Sequence, residues 1–341
     1  MKFKKISIRR IVLLSALMVF TNLFAGLAAA QKEAPSLLVV VKDENAMQIT
    51  DPAAKTVLAT VPVGEGPHEV EASSDGKLAF VSNYGLQNGA VNPGRSISVI
   101  DLAGRKELRR INIGPSSRPH GLVFAGGRLY FTAEGYKLIG CYDPASNQID
   151  WLLGIGQNRT HLVVLTKDMN TMFTSNIQSD SVTMLEKAPF PLDWKETVIP
   201  VGKGPEAIDV SPDGREVWTA TGGDGSVSII DVAGKKVKQT LNLQMARSNR
   251  LKFTLDGRRV LITDSRGGRL LVLDAAERKE LKRMDIGRAP EGILMAPDGA
   301  LAYVAVSGEN NIAILDLKTM EVVGRILTGK APDGLAWAAA R

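Results

Sequence analysis

The 341-residue chain carries one cysteine, three histidines and only 5% aromatic residues. A single cysteine excludes an intrachain disulfide and any cysteine-cluster zinc or iron–sulfur centre. Three histidines can build a metal site only if the fold brings them together. The sequence has no Walker A loop, no His-Glu-x-x-His, no Gly-x-Ser-x-Gly and no dinucleotide fingerprint, so the common nucleotide, zinc-protease and serine-hydrolase signatures are missing. With 44% hydrophobic and 23% charged residues, it is neither a disordered chain nor a polytopic membrane protein. What it has in quantity is punctuation, 33 Gly and 16 Pro, which favours many short elements over long helices.

Residues 1–30 lack acid. They hold Lys2, Lys4, Lys5, Arg9 and Arg10, then an apolar run from Ile11 to Phe24 and the small residues AGLAAA. This reads as a secretory signal peptide, with Ala28-x-Ala30 as a cleavage site before Gln31. The expected mature protein is periplasmic or secreted, keeps no membrane anchor after cleavage, and sits in an oxidising compartment that suits one lone thiol. The formal charge of +6 belongs mostly to this leader, because removing it leaves 37 basic against 36 acidic residues. A near-neutral mature chain gives no reason to expect nucleic acid as a partner.

Beyond residue 35 the dominant signal is self-similarity. One unit holds a short apolar strand at Ala207–Val210, a Ser-Pro-Asp-Gly turn and a second strand at Glu216–Ala220. A Gly-rich loop leads to a third strand, Val227–Ile230, closed by Asp231, and a fourth follows from Val237. The third strand recurs seven times, each copy ending in a carboxylate: Asp51, Asp101, Asp143, Glu186, Asp231, Asp274 and Asp316. Such a residue accepts backbone N–H bonds in the turn that follows, so its role is structural. The junction before the first strand recurs at Pro67, Pro119, Thr160, Pro205, Ser248, Pro290 and Pro332, with gaps of 52, 41, 45, 43, 42 and 42. The long gap reflects an insertion around Tyr84–Arg95, which reads as a lid or a tolerated loop. Seven four-stranded antiparallel units of this length predict an all-β fold, a seven-bladed β-propeller over 36–341. The N-terminal unit has only three strands, and the segment from Asp333 supplies the missing first one, so the two ends complete one blade together. A monomer is expected. The shortage of aromatic residues argues against a Trp-Asp repeat.

The stretches SSDGKLAFVSN (73–83), SISVID (96–101), SPDGREVWTAT (211–221) and APDGALAYVAV (296–306) resemble the YVTN family of bacterial and archaeal propeller repeats. The resemblance implies the propeller fold over essentially the whole mature chain and says much less about function. Similar propellers form domains of nitrous oxide reductase and cytochrome cd1 nitrite reductase, where they hold a copper cluster and haem d1. Lactonases and muconate-cyclising enzymes are more distant look-alikes. Fold alone does not choose among them.

The residue after each Pro-equivalent position is expected at the mouth of the central channel. In ring order these are Asp333, His68, His120, His161, Glu206, Asn249 and Glu291, so all three histidines fall at one repeat position in consecutive blades. One reading is a transition-metal site for Zn, Cu or Fe on His68, His120 and His161, with Glu206 as fourth ligand or base. Another has the histidines as general acids or bases on an organic ligand. A third is structural, with these residues bonding the neighbouring blade. Arg118, Arg159 and Arg247 sit just before the ring and suit a carboxylate or phosphate. Asn83, Tyr84, Glu134, Tyr136, Asn176 and Asp264 lie on loops expected to open on the same face. The functional expectation is therefore a small anionic ligand or a protein partner bound at the mouth, or an enzyme there, either a metal-assisted oxidoreductase or a lyase or lactonase. Strand parity opposes this, because Val70, Ala72, Leu122 and Phe124 share the parity of the ring and belong to the packed face. Glu69, Glu71, Asp209, Arg250 and Lys252 have the opposite parity and are expected to line a wet channel. Cys141 reads as buried packing.

Overall fold

The computed structural model describes residues 35–85, 93–189 and 194–339. The expected leader and its cleavage site, and most of the inserted loop, lie outside the described residues. The rest forms seven four-stranded antiparallel sheets, each running from an inner first strand to an outer fourth. The inner strands Pro332–Ala338, Pro67–Ala72, Pro119–Ala125, Thr160–Leu165, Pro205–Val210, Ser248–Phe253 and Pro290–Met295 contact one another in that order, and the last returns to the first. The molecule is a closed seven-bladed propeller. No helix among the described residues is long and apolar enough to cross a membrane.

Local sequence explains each blade. In four blades the turn after the first strand is tied by a Ser or Thr hydroxyl that donates to an Asp two residues on: Ser73–Asp75, Thr166–Asp168, Ser211–Asp213 and Thr254–Asp256. Glycine follows in left-handed conformation at Gly76, Gly214 and Gly257, where a side chain would be strained. The closing aspartates of the third strands accept turn N–H groups as expected, such as Asp51 from Ala53 and Ala54 and Asp274 from Ala276 and Glu277, whereas Glu186 pairs with Lys235 instead.

Packing lies between blades. Seven apolar clusters each draw on two neighbours. One joins Leu38, Val40 and Met47 of the first blade to Val70, Val81 and Ile100 of the second. Another joins Trp218 and Ile229 of the fifth to Leu251 and Ile262 of the sixth. Burying one such aliphatic side chain is worth about 1.5–3 kcal/mol. Cys141 is 2% exposed, and its burial pushes the thiol up to about 12, so it is inert packing. The ring closes as the sequence predicts. Pro332–Ala338 pairs with Ser36–Val41, with Leu37 opposite Trp337 and Val39 opposite Leu335. Trp337 also donates Nε1–H to the Met295 carbonyl of the seventh blade at 2.7 Å.

Candidate functional site

Every inner strand begins with a bulge. In the second blade Pro67 pairs with Asn83 and Val70 with Val81, so one extra residue enters the inner strand. The same shift recurs after Pro119, Thr160, Pro205, Ser248 and Pro290, and in the closing blade between Pro332 and Leu335. A bulge breaks the alternation of faces. This resolves the parity conflict: Val70 packs between blades while His68, two residues earlier, lines the mouth. In the second, third, fourth and sixth blades a bulged N–H group is satisfied by a hydroxyl of the second strand. Glu69 N–H bonds Ser82 at 3.0 Å, Gly121 N–H bonds Thr132 at 2.9 Å and Arg250 N–H bonds Thr263 at 2.9 Å. Thr132 and Thr263 then donate to the carbonyls of His161 and Glu291 in the following blades. The backbone of the ring is thus held by hydroxyls that the sequence reading did not single out.

A second ring is joined to the first. A residue at or just past the end of each second strand donates its backbone N–H to the carbonyl just before the Pro-equivalent position. The pairs are Lys42–Ala331, Tyr84–Gly66, Glu134–Arg118, Ile177–Arg159, Gly222–Gly204, Ser265–Arg247 and Ser307–Ala289, all at 2.8–3.1 Å. These two rings wall a cavity of about 1140 Å³. All seven residues of the first ring line it, as do Arg118, Arg159 and Arg247. From the second ring, Lys42, Tyr84, Glu134 and Ser307 do so.

The three histidines stand side by side. Ring centroids are 5.0 Å apart for His68 and His120, and 3.8 Å for His120 and His161. Tyr84 lies against the first two, at 4.8 and 5.3 Å. His68 donates Nδ1–H to the Gly66 carbonyl at 2.9 Å, which fixes its tautomer. Burial pushes His68 down to about 4, against the pull of Asp333. Burial, then the neighbouring His161 and His68, drive His120 well below its usual value, so both rings are neutral at pH 7. His161 Nδ1 lies 2.5 Å from Glu134 Oε1, and Tyr84 donates its hydroxyl to Glu134 Oε2 at 2.6 Å. Arg159 reaches the same carboxylate at 3.4 Å. Burial opposes the charge on Glu134, but these three partners outweigh it and hold the carboxyl below its ordinary range.

The opposite side of the mouth is an ion-pair network. Lys42 bonds Glu291 and lies 3.3 Å from Asp333. Arg250 crosses from the sixth blade to Glu69 of the second, and lies 3.7 Å from Asp333 of the first. Burial raises the carboxyl of Glu291 and Asp333 adds to that. For Asp333, burial is outweighed by Lys42 and Arg250, which hold it low. Residues expected to line a wet channel are in part paired: Arg250 with Glu69 across it, and Lys252 with Asp209 of the neighbouring blade at 3.4 Å. Charge in the mouth is layered. The Glu134 and Glu206 side chains are 4% and 9% exposed, and those of Arg159 and Arg247 are 40% and 44% exposed. Guanidinium groups face solvent over a floor of carboxylate and imidazole.

The four ligands expected for a metal do not converge as a set. Glu206 is held by three Arg247 bonds at 2.9, 3.1 and 3.3 Å and by Asn249 at 3.3 Å. Among the described residues, the ligand atoms that lie within 4.8 Å of one another belong to His120, Glu134 and His161. Of the other loop residues, Asn83, Asn176 and Asp264 serve the backbone and neighbouring hydroxyls, as in Asn83 with Gly64 N–H and Asp264 with Arg247 N–H. Tyr136 donates to the Pro115 carbonyl. Lys42 was not singled out from the sequence. Its signal is its repeat position, the same as that of Tyr84 and Glu134, where other blades carry Ile, Gly and Ser.

No protein-family model matches the chain. Among curated proteins it is 26% identical over 174 residues to the uncharacterized protein YncE of Salmonella typhimurium, an alignment covering 50% of this chain and 48% of that one. The chain thus spans about half the length of the curated relatives it matches. Solved structures similar to it include the Pseudomonas aeruginosa periplasmic gluconolactonase PpgL, with TM-score 0.73, 19% identity and coverage of 90% of this chain and 99% of that one. A putative 6-phosphogluconolactonase from Bacteroides uniformis gives TM-score 0.74, 13% identity and coverage of 90% and 100%. Kuenenia stuttgartiensis hydrazine synthase gives 0.68, 18%, and 80% and 89%. At these identities the likeness is one of fold.

Proposed function

We propose that this protein is an exported propeller of the YVTN type that binds a small anionic molecule at the mouth of its central channel. The observation that carries this reading is the layering of charge: the half-exposed Arg159 and Arg247, with Arg118 stacked 5.2 Å over Tyr84, rim a cavity of about 1140 Å³ in which Glu134 and Glu206 are buried beneath them. A carboxylate or phosphate at the rim meets planar guanidinium donors, and the neutral imidazoles below offer acceptors and ring faces to the rest of the molecule. The space suits a ligand the size of a sugar acid or larger. In this reading the chain acts as a monomer outside the cytoplasm, and nucleic acid is not its ligand.

Calorimetry of the full chain against sugar acids, sugar phosphates and aromatic carboxylates tests this. Affinity for the binding compound is expected to fall about 10-fold in Arg159→Ala and in Arg247→Ala, and to weaken with salt. Affinity unchanged in both variants would remove the rim from the site.

A second reading is favoured by the contact between His161 and Glu134. A histidine oriented by a buried carboxylate is the arrangement of a general base, here able to activate water against a lactone carbonyl held by the rim. The gluconolactonase names of two structural neighbours agree with that chemistry. Release of acid from gluconolactone, abolished in His161→Gln while binding persists, is the expected outcome.

A further inference from the structure

We infer that His120, Glu134 and His161 form a site for one divalent first-row transition metal at the channel mouth. The inference deepens the reading of the mouth as a binding site and names an ion that would sit on its floor. Two imidazoles and one carboxylate are a donor set used for Zn²⁺ and for Fe²⁺.

Three observations carry it. The ligand atoms of these residues lie within 4.8 Å of one another, and all three side chains are buried at the base of the cavity. His120 is 4% exposed, and its Nδ1 has no hydrogen-bond partner among the described residues, with Glu69 Oε1 4.0 Å away. A buried imidazole nitrogen without a partner is costly, and a metal ion close by removes that cost by drawing the ring round to it. Finally, the surroundings are those of supported ligands. Tyr84 holds one oxygen of Glu134, and the other meets His161 at 2.5 Å, where a metal would take the place of the shared proton. His68, whose Nδ1–H is bonded to the Gly66 carbonyl, is not among the residues whose ligand atoms lie within 4.8 Å of one another. Three protein ligands leave coordination positions facing the cavity, the arrangement of an exchangeable rather than a purely structural ion.

The test uses the full chain without a histidine tag, stripped with chelator and titrated with Zn²⁺ by calorimetry and with Co²⁺ by visible absorption. One equivalent is expected to bind, with affinity lowered at least about 10-fold in His120→Gln, Glu134→Gln or His161→Gln. Because a variant can fail to fold, the wild-type imidazole resonances provide an independent readout. The chain has only three histidines, and Zn²⁺ is expected to shift those of His120 and His161 most. Absence of binding, equal affinity in folded glutamine variants, or unmoved resonances would overturn the inference. Anion binding is measured separately in chelator. Anion binding without metal binding removes only this inference, and metal binding without anion binding removes only the reading on which it rests.

Discussion

Glu134 and His161 stand 2.5 Å apart although they belong to neighbouring blades, one just after a second strand and the other at the start of the next inner strand. Glu134 is also the acceptor for Tyr84 of the preceding blade and lies 3.4 Å from Arg159. One carboxylate therefore ties three consecutive blades at the mouth. Replacing it by alanine leaves the Tyr84 hydroxyl and the His161 ring without their partner in a buried place. The expected loss of stability is about 1–3 kcal/mol, measured by urea unfolding in chelator, with Glu134→Gln losing less. Equal stability of Glu134→Ala and wild type would contradict the tie.

Arg250 is the analogous tie across the channel. Its side chain is 7% exposed and meets Glu69 and Asp333. Arg250→Met removes the positive charge from the buried Asp333 and the partly buried Glu69 and is expected to cost about 3 kcal/mol, because breaking a buried pair strands its partner. Adding Glu69→Gln to that variant should recover part of the loss. A double variant no more stable than the single one would show that the charges are not coupled.

A different carboxyl sets a pH dependence. Glu71 lies on the inner strand of the second blade, and burial pushes it up to about 7 against the pull of Lys252. Its value in the unfolded chain is near 4.5. The stabilising contribution of the protonated form is therefore complete below pH 4.5 and is lost as pH rises through 7. Unfolding free energies of Glu71→Gln and wild type, compared from pH 4.5 to 8, should show a flatter profile for the variant and greater relative stability at pH 8, by at most about 3 kcal/mol. Parallel profiles would place the carboxyl in water.

The terminal strand is expected to be indispensable. Ending the chain before Pro332 would expose the hydrogen-bonding edge of Ser36–Val41, together with Leu37 and Val39, which are otherwise fully buried. An open apolar edge is a template for association. Size-exclusion chromatography should show oligomers or aggregate, and urea unfolding should lose its single sharp transition. A monomeric, cooperatively folding truncation would mean that closure contributes little.

The architecture was legible because turns and junctions recur in the chain itself. The Pro-equivalent spacing, the carboxylates that end the third strands and the missing first strand together led to seven blades and to closure by Pro332–Ala338. The adjacency of the histidines followed from the same count. What did not follow was their company. Sequence spacing relates residues within one repeat, and Glu134 reaches His161 sideways into the next blade, while Glu206, the expected fourth ligand, is claimed by Arg247 and Asn249. Parity also misled, because it assumes an unbroken strand and every inner strand here opens with a bulge. The charges deeper in the channel were located correctly but expected in water. Arg250 and Glu69 come from blades far apart in the chain, and only ring closure makes them partners.

The seven hydrogen bonds that join the two rings run from backbone to backbone. They hold equally well whether the donor residue is Lys42, Tyr84, Glu134, Ile177 or Gly222. Side chains at these positions are therefore released from any duty to the fold's main chain, and chemistry at the mouth can be rewritten one residue at a time. A scaffold of this kind keeps its shape while its occupant changes, which gives natural selection a way to move one propeller among unrelated tasks.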